Sequence, residues 1–310
     1  MFKKILVNIL LIVLLVSSLE VFCYIKEKEF NLARKQYADK LESNNTRNFI
    51  TKYRLLSDFK ALPARKSFFV KNSNKKPILW FGCSFAEGAG LTDLQTPCYK
   101  ISQLTGRSCI NKSKGATGTQ FIYYQLKNDD FFTTTPSVEY IVYTFLYNHI
   151  YRLYNYQVNP LIDMFNLRYK LENGELKEIH PTFRLIHSSF IIKRFLNNLA
   201  QHKAKNEEID FTLFNEIMKA SKQITSSKYP NSKFIILEFP DLSGKELPYY
   251  EIQKLKDMGI QVVKVKDIFQ SKIKDKNGIY DSKYWLNDNI HPSELLWDVV
   301  LPEIVKQYIK

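Results

Sequence analysis

The sequence predicts an α/β fold: a mainly parallel central sheet covered by helices on both faces, set behind an N-terminal membrane helix. Three observations predict it. An apolar run near the start follows two lysines. From residue 77 onward, short runs rich in β-branched and aromatic residues alternate with helical stretches. The composition is ordinary for a globular chain, with 45% hydrophobic and 25% charged residues over 310 positions. That composition excludes a disordered chain and a multi-spanning membrane protein. Four cysteines exclude a disulfide-dense scaffold, and ten glycines with eleven prolines exclude a collagen-like or low-complexity chain. No repeat of fixed period is present.

The apolar run extends from Ile5 to Tyr24, about 20 residues, the length that crosses a hydrocarbon core as one helix. Lys3 and Lys4 before it favour a cytoplasmic N-terminus, which places the body outside the cytoplasm. An uncleaved anchor is the expectation. Val16-Ser17-Ser18 leaves signal-peptide cleavage, and hence secretion, as the alternative. Cys23 follows Val21 and Phe22, which lack the small residue that a lipidation site needs. The net charge of +14 is concentrated in residues 26–76, which hold fourteen Lys/Arg against five Asp/Glu. A basicity confined to the segment after a membrane run argues against nucleic acid as partner. Phe30, Leu32, Ala33, Tyr37 and Leu41 recur at helical spacing there. The segment reads as a basic juxtamembrane helix, either lying on anionic head groups or standing as a solvated stalk. Asn72 to Pro77 is a turn-rich break, so the domain is expected over 77–310, with its boundary at about residue 76.

Within that domain Pro77–Phe81 reads as a buried strand ended by Gly82. A helix follows Thr96 and stops at Gly106. Ser108–Ile110 is a second strand, Gln120–Lys127 a helix, and Val138–Phe145 a strong strand. Residues 150–205 break the rhythm. Asn173-Gly174 there is a hairpin signal, and Phe190–Leu199 is an amphipathic helix. This stretch reads as an insertion over the carboxyl edge of the sheet, where α/β proteins bind ligands. Residues 211–226 are helical, Lys233–Phe239 a strand, 247–258 a helix, Ile260–Val265 the last strand and 293–309 the last helix.

Four blocks carry candidate chemistry. Ser84, in Gly82-Cys83-Ser84-Phe85-Ala86-Glu87-Gly88-Ala89-Gly90, follows the first strand on a turn, where a serine can be exposed as a nucleophile. Asp288-Asn289-Ile290-His291 lies in a polar loop before the last helix, and three residues is a spacing that lets the carboxylate orient the imidazole. Asn111 to Gly118 follows the second strand and Asn148 ends the third. Both reach the same sheet edge as Ser84, where backbone N–H groups and an amide can hold an oxyanion.

Taken in order, these blocks make the chain resemble the SGNH (GDSL-type) hydrolase superfamily, in a membrane-anchored bacterial form, over residues 77–309. Trp80 to Leu91 looks like that family's opening block. The resemblance implies a flavodoxin-like three-layer α/β/α sandwich, with Ser84 as nucleophile, His291 as general base and Asp288 as its orienting partner. It implies an oxyanion hole built from the Ser84 backbone N–H, a glycine N–H and the Asn148 side chain. Cys83 stands where the family usually has Asp. Gly115 is preferred for the glycine, with Gly118 open, and His149 follows Asn148 where Asp is frequent. No cofactor or metal is implied. His180, His187 and His202 show no metal-ligand spacing. His149 reads as a structural loop histidine, with a place in the pocket as the alternative. Cys98 and Cys109 read as unpaired buried thiols, with a bridge outside the cytoplasm as the alternative. Glu238 lies in a strand and is expected to meet water or a loop.

The expected activity is that of a serine esterase acting on small acyl esters, including O-acetyl esters on envelope glycans. An O-acyltransferase using the same acyl-enzyme, and a non-catalytic glycan-binding or assembly protein, are the alternatives.

Overall fold

The computed structural model describes residues 67–71, 73–115, 117–128, 137–153, 168–179, 210–240, 244–274, 278–288 and 290–309, together with Ser18. The expected membrane helix, the basic helix and the helix at 190–199 lie outside these residues, Ser18 apart. Among the described residues, no helix is long and apolar enough to cross a membrane.

Five strands form one parallel sheet: β1 (Ile78–Gly82), β2 (Cys109–Asn111), β3 (Tyr140–Leu146), β6 (Lys233–Phe239) and β7 (Ile260–Lys264), in the order β2-β1-β3-β6-β7. β1 and β3 are buried along their whole length. They are continuous apolar runs because a parallel sheet covered on both faces has no wet side. The pleat sorts their side chains. Ile78, Trp80, Val142, Ile235 and Leu237 meet one core, and Leu79, Phe81, Ile141, Tyr143 and Ile236 meet the other.

The helices divide between those cores. On the first face lie α1 (Ser84–Glu87), α2 (Pro97–Thr105), α7 (Val265–Lys272) and α8 (Glu294–Tyr308). On the second lie α3 (Thr119–Asn128), α4 (Asn148–Leu153), α5 (Thr212–Lys228) and α6 (Tyr249–Asp257). Three layers result, as expected. α2 shows how the sequence sets its own limits. Thr96 caps it and accepts the Tyr99 N–H, Pro97 occupies the first turn, and Gly106 closes it at φ 64°. α7 was not foreseen, because it starts directly at the end of β7 without a turn residue. Val265, read as the end of the strand, is its first residue. The Asn173-Gly174 signal forms its hairpin: β4 (Arg168–Glu172) pairs antiparallel with β5 (Glu175–Ile179), and both turn residues have positive φ.

Phe68 pairs antiparallel with Cys109 at the outer edge of β2, with both N–H···O distances at 2.8 Å. Phe68, which precedes the boundary expected at about residue 76, thus pairs with the edge strand of the sheet.

The expectation of two free thiols is corrected. Cys98 on α2 and Cys109 on β2 form a disulfide with their Cα atoms 5.5 Å apart. Spacing alone did not reveal it. The sharp return from α2 into β2 through Gly106 brings the two buried sulfurs together. Closing so short a loop stabilises the fold by about 3 kcal/mol through lost chain entropy in the unfolded state. Reduction under non-denaturing conditions is expected to lower the urea midpoint of the wild type, and to leave a Cys98→Ala/Cys109→Ala double variant unmoved. Equal sensitivity of the two proteins to reductant would refute a stabilising bridge.

Candidate active site

The site begins where β1 ends. Gly82 has φ +150°, and a Cβ there would lie 2.6 Å from Ala86 Cβ and 2.9 Å from the Thr144 carbonyl oxygen. Only glycine permits the turn to pack so closely on β3. Cys83 follows in extended conformation and begins the single turn of α1, with Ser84 as its first residue. The Cys83 thiol is buried. Gly88 closes α1 in the left-handed region, and the Ala89 N–H returns to the Ser84 carbonyl at 2.9 Å.

The second block is strapped onto the end of β1. The Lys112 N–H donates to the Trp80 carbonyl at 2.8 Å, and the Lys114 N–H to the Gly82 carbonyl at 2.9 Å. Ser113 Oγ reaches the Trp80 carbonyl and Thr117 Oγ1 reaches the Gly82 carbonyl. Gly115 is thus the residue after a bond to Gly82, at the turn that carries Ser84. Gly118 follows Thr117, which also bonds Gly82, and a Cβ on it would meet Gln120 Oε1 at 2.7 Å and Arg152 Cβ at 3.2 Å. Its smallness serves the packing of α4 against this loop.

Asn148 is the first residue of α4, two residues past the end of β3. β3 runs beside β1 with Thr144 opposite Gly82, so α4 starts at the edge that holds Ser84. The Asn148 Oδ1 is buried and has no hydrogen-bond partner among the described residues. Arg152, one turn further on, donates from Nη1 to the Thr117 carbonyl and ties α4 to the second block. No motif marks Arg152 in the sequence. Its role comes from a contact between positions 35 residues apart.

His149 does not line the pocket. It is 0% exposed, its Nδ1 lies 2.8 Å from Tyr143 Oη, and its ring stacks on Tyr143 and meets Phe145 edge-on. Burial pushes its pKa well below the usual imidazole value, and Arg152 adds to that. It is a neutral core histidine.

Asp288 and His291 form the expected pair. His291 Nδ1 lies 2.5 Å from Asp288 Oδ2, while Asp288 Oδ1 accepts the backbone N–H groups of Ile290 and His291 at 2.9 and 3.0 Å. Burial pushes the carboxyl up, but the bonds from the His291 side chain and from the two backbone N–H groups outweigh it and bring Asp288 down to about 2. It is therefore ionised across the range in which enzymes are assayed. The loop is itself anchored. The Leu286 N–H donates to the His291 carbonyl at 2.8 Å, Trp285 bridges to Pro292, and Trp285 Nε1 donates to the Ile279 carbonyl. Phe85, the residue after Ser84, places its ring 5.9 Å from both His291 and Trp285. The loop of Asp288 and His291 and the turn of Ser84 thus pack at one corner, and Phe85 is the contact that the motif reading missed.

Two further carboxylates flank the site. Glu87 is buried on α1 and acts electrostatically on Lys114, whose half-buried ammonium is brought down to about 8 by burial against the pull of Glu87. Glu238, 2% exposed near the end of β6, accepts the Leu247 N–H at 2.5 Å, while its Oε2 is buried without a hydrogen-bond partner. It meets the loop, as expected. Burial raises its pKa to about 7 against the Leu247 bond and the Lys264 charge, and Glu246 and Asp267 raise it further. The folded pKa lies above the unfolded one. The stabilising contribution is therefore fully present below about 4.5 and is lost as pH rises through about 7, on the order of 3 kcal/mol in all. The melting temperature of Glu238→Gln minus that of the wild type is expected to grow between pH 5 and pH 8. A difference that stays flat would show that Glu238 does not titrate in this range.

Among the described residues no group of three or more His, Cys, Asp or Glu is placed to hold a metal ion. No family model matches the chain, and no curated protein matches it. Solved structures do. A member of the lipolytic protein G-D-S-L family from Veillonella parvula DSM 2008 is 12% identical with a TM-score of 0.42, over 76% of this chain and 98% of that one. Phospholipase A1 from Streptomyces albidoflavus NA297 is 10% identical with a TM-score of 0.43, over 74% and 98%. A catalytic mutant of an acetylxylan esterase from Geobacillus stearothermophilus is 12% identical with a TM-score of 0.41, over 76% and 95%. In its ordered sequence blocks the chain resembles the SGNH (GDSL-type) hydrolase superfamily.

Proposed function

We propose that this chain is a serine ester hydrolase of SGNH type. The observation that carries the reading is the Asp288–His291 pair at 2.5 Å, packed through Phe85 against the turn that presents Ser84. In this mechanism Ser84 Oγ attacks the ester carbonyl as His291 Nε2 takes its proton. The negative charge that develops on the carbonyl oxygen is held by the Ser84 and Gly115 N–H groups and the Asn148 amide. Collapse expels the alcohol, which receives the proton from His291. Water, deprotonated by the same imidazole, then releases the acid and restores Ser84. Asp288, ionised throughout, fixes the tautomer and balances the transient imidazolium.

The substrate reading is a small acyl ester, including O-acetyl esters on cell-envelope glycans, met outside the cytoplasm by a domain tethered through residues 5–24. The Cys98–Cys109 disulfide supports an oxidising compartment. A C-terminal reporter active only in the cytoplasm would overturn that placement.

A fluorophosphonate probe is expected to label the wild type, and Ser84→Ala is expected to abolish labelling. With p-nitrophenyl acetate, His291→Ala should remove turnover and Asp288→Asn should lower kcat by orders of magnitude, because the tautomer is no longer fixed. Labelling that persists in Ser84→Ala would defeat the assignment. Asn148→Ala should lower kcat on the order of 10²-fold, about 3 kcal/mol of transition-state stabilisation, with little change in KM. A loss confined to KM would make Asn148 a binding residue.

A further inference from the structure

The Asn148 amide can donate to an oxyanion only if something holds it in place. Its Oδ1 is buried and has no hydrogen-bond partner among the described residues. The place of the amide is therefore set by the helix that carries it. α4 has six residues, well below the roughly 12–15 at which an isolated helix is even marginal in water. Its position comes from its neighbours.

On one side α4 is held to the strand that it follows. His149 Nδ1 lies 2.8 Å from Tyr143 Oη on β3, and Ile150 and Leu153 are buried in the second core. These contacts leave open how far α4 stands from the loop that bears Gly115. Arg152 closes that gap. It follows Asn148 by four positions, so the two share one helix face. Its Nη1 donates to the Thr117 carbonyl. Thr117 in turn closes the turn around Gly115. Its Oγ1 donates to the Lys114 carbonyl at 2.6 Å, and its N–H reaches the same oxygen at 3.4 Å. Thr117 Oγ1 also lies 3.3 Å from the Gly82 carbonyl, beside the turn of Ser84.

The stem of Arg152 is fitted to the same loop. A Cβ added to Gly118 would lie 3.2 Å from Arg152 Cβ and 3.5 Å from Arg152 Cδ. The φ of Gly118 is not positive, so what this glycine supplies is room for the stem.

We propose that Arg152 is a positioning residue for the oxyanion hole, which sets the Asn148 amide at its working distance from the Gly115 N–H. The inference rests on the esterase reading, because the two donors are those of that site. A donor gives its full stabilisation only when it lies about 3 Å from the oxygen of the transition state. A misplacement of about 1 Å can cost on the order of 10²-fold in rate. The ground-state carbonyl asks less of the donor, so kcat should respond and KM should not.

The test is a double-mutant cycle on p-nitrophenyl acetate with the full chain in detergent. Arg152→Met keeps much of the stem against Gly118 and removes the guanidinium. It should lower kcat roughly tenfold with KM unchanged, but less than about twofold when Asn148 is already alanine. A guanidinium that served packing alone would cost the same factor in both backgrounds. Arg152→Lys, which returns a donor on a stem of similar length, should recover most of the loss. Gly118→Ala displaces the stem from the other side and decides the matter if Arg152→Met does not fold. It should lower kcat about threefold, again only while Asn148 is present. Unchanged kcat, equal losses with and without Asn148, or a loss carried by KM would overturn the proposal. The outcomes separate the two readings. Turnover and Ser84-dependent fluorophosphonate labelling in the wild type, with unchanged kcat in the Arg152 and Gly118 variants, remove the positioning role and keep the esterase. A wild type that neither turns over the ester nor takes the label removes both.

Discussion

The carboxyl end of β1 is the point on which the rest of the site depends. Gly82 takes a backbone conformation that side chains rarely adopt, and it does so with a β3 carbonyl less than 3 Å from where a Cβ would stand. That close approach lets the chain turn at once into α1, so that Ser84 emerges at the edge of the sheet rather than above it. The Gly82 carbonyl is then used twice, by the Lys114 N–H and by Thr117 Oγ1. One residue thus fixes the turn that bears Ser84 and the loop that bears Gly115. Arg152 extends the same tie to α4 through the Thr117 carbonyl. The three blocks at this edge are tied through the backbone carbonyls of Gly82 and Thr117, which are met by the Lys114 N–H and by the side chains of Thr117 and Arg152.

What the sequence disclosed follows the range of the interaction involved. β1, β3 and β6 were legible because strands buried on both faces need continuous apolar runs. α2 was legible because Thr96, Pro97 and Gly106 act within one turn of themselves. Asp288 and His291 were legible because their bond spans three residues. α7 was not, since nothing local separates Val265 from the strand before it. The disulfide was not, because a separation of 11 residues allows a bridge without requiring one. Arg152 and Phe85 were invisible for a related reason. Each acts on a partner that only the assembled sheet brings near, Thr117 in one case and His291 in the other. Glu238 was placed in its strand, yet its pKa is raised by a burial that only the assembled fold creates, against the Leu247 bond and the Lys264 charge.

His149 and His291 show how environment, more than residue type, decides chemistry. Both follow a strand or loop that ends at the same edge, and either would serve as a base on paper. His149 is held among Tyr143, Phe145 and Arg152, where a positive charge would be desolvated and repelled, so it is kept neutral. A base in that position could accept a proton only at the expense of the core. His291 is only partly buried, with an ionised carboxylate on Nδ1 and two backbone N–H groups holding that carboxylate in place. The fold thus separates two histidines that the sequence leaves alike: one is packed in the core against Tyr143 and Phe145, and the other stands on a partly buried loop beside Asp288 and Phe85.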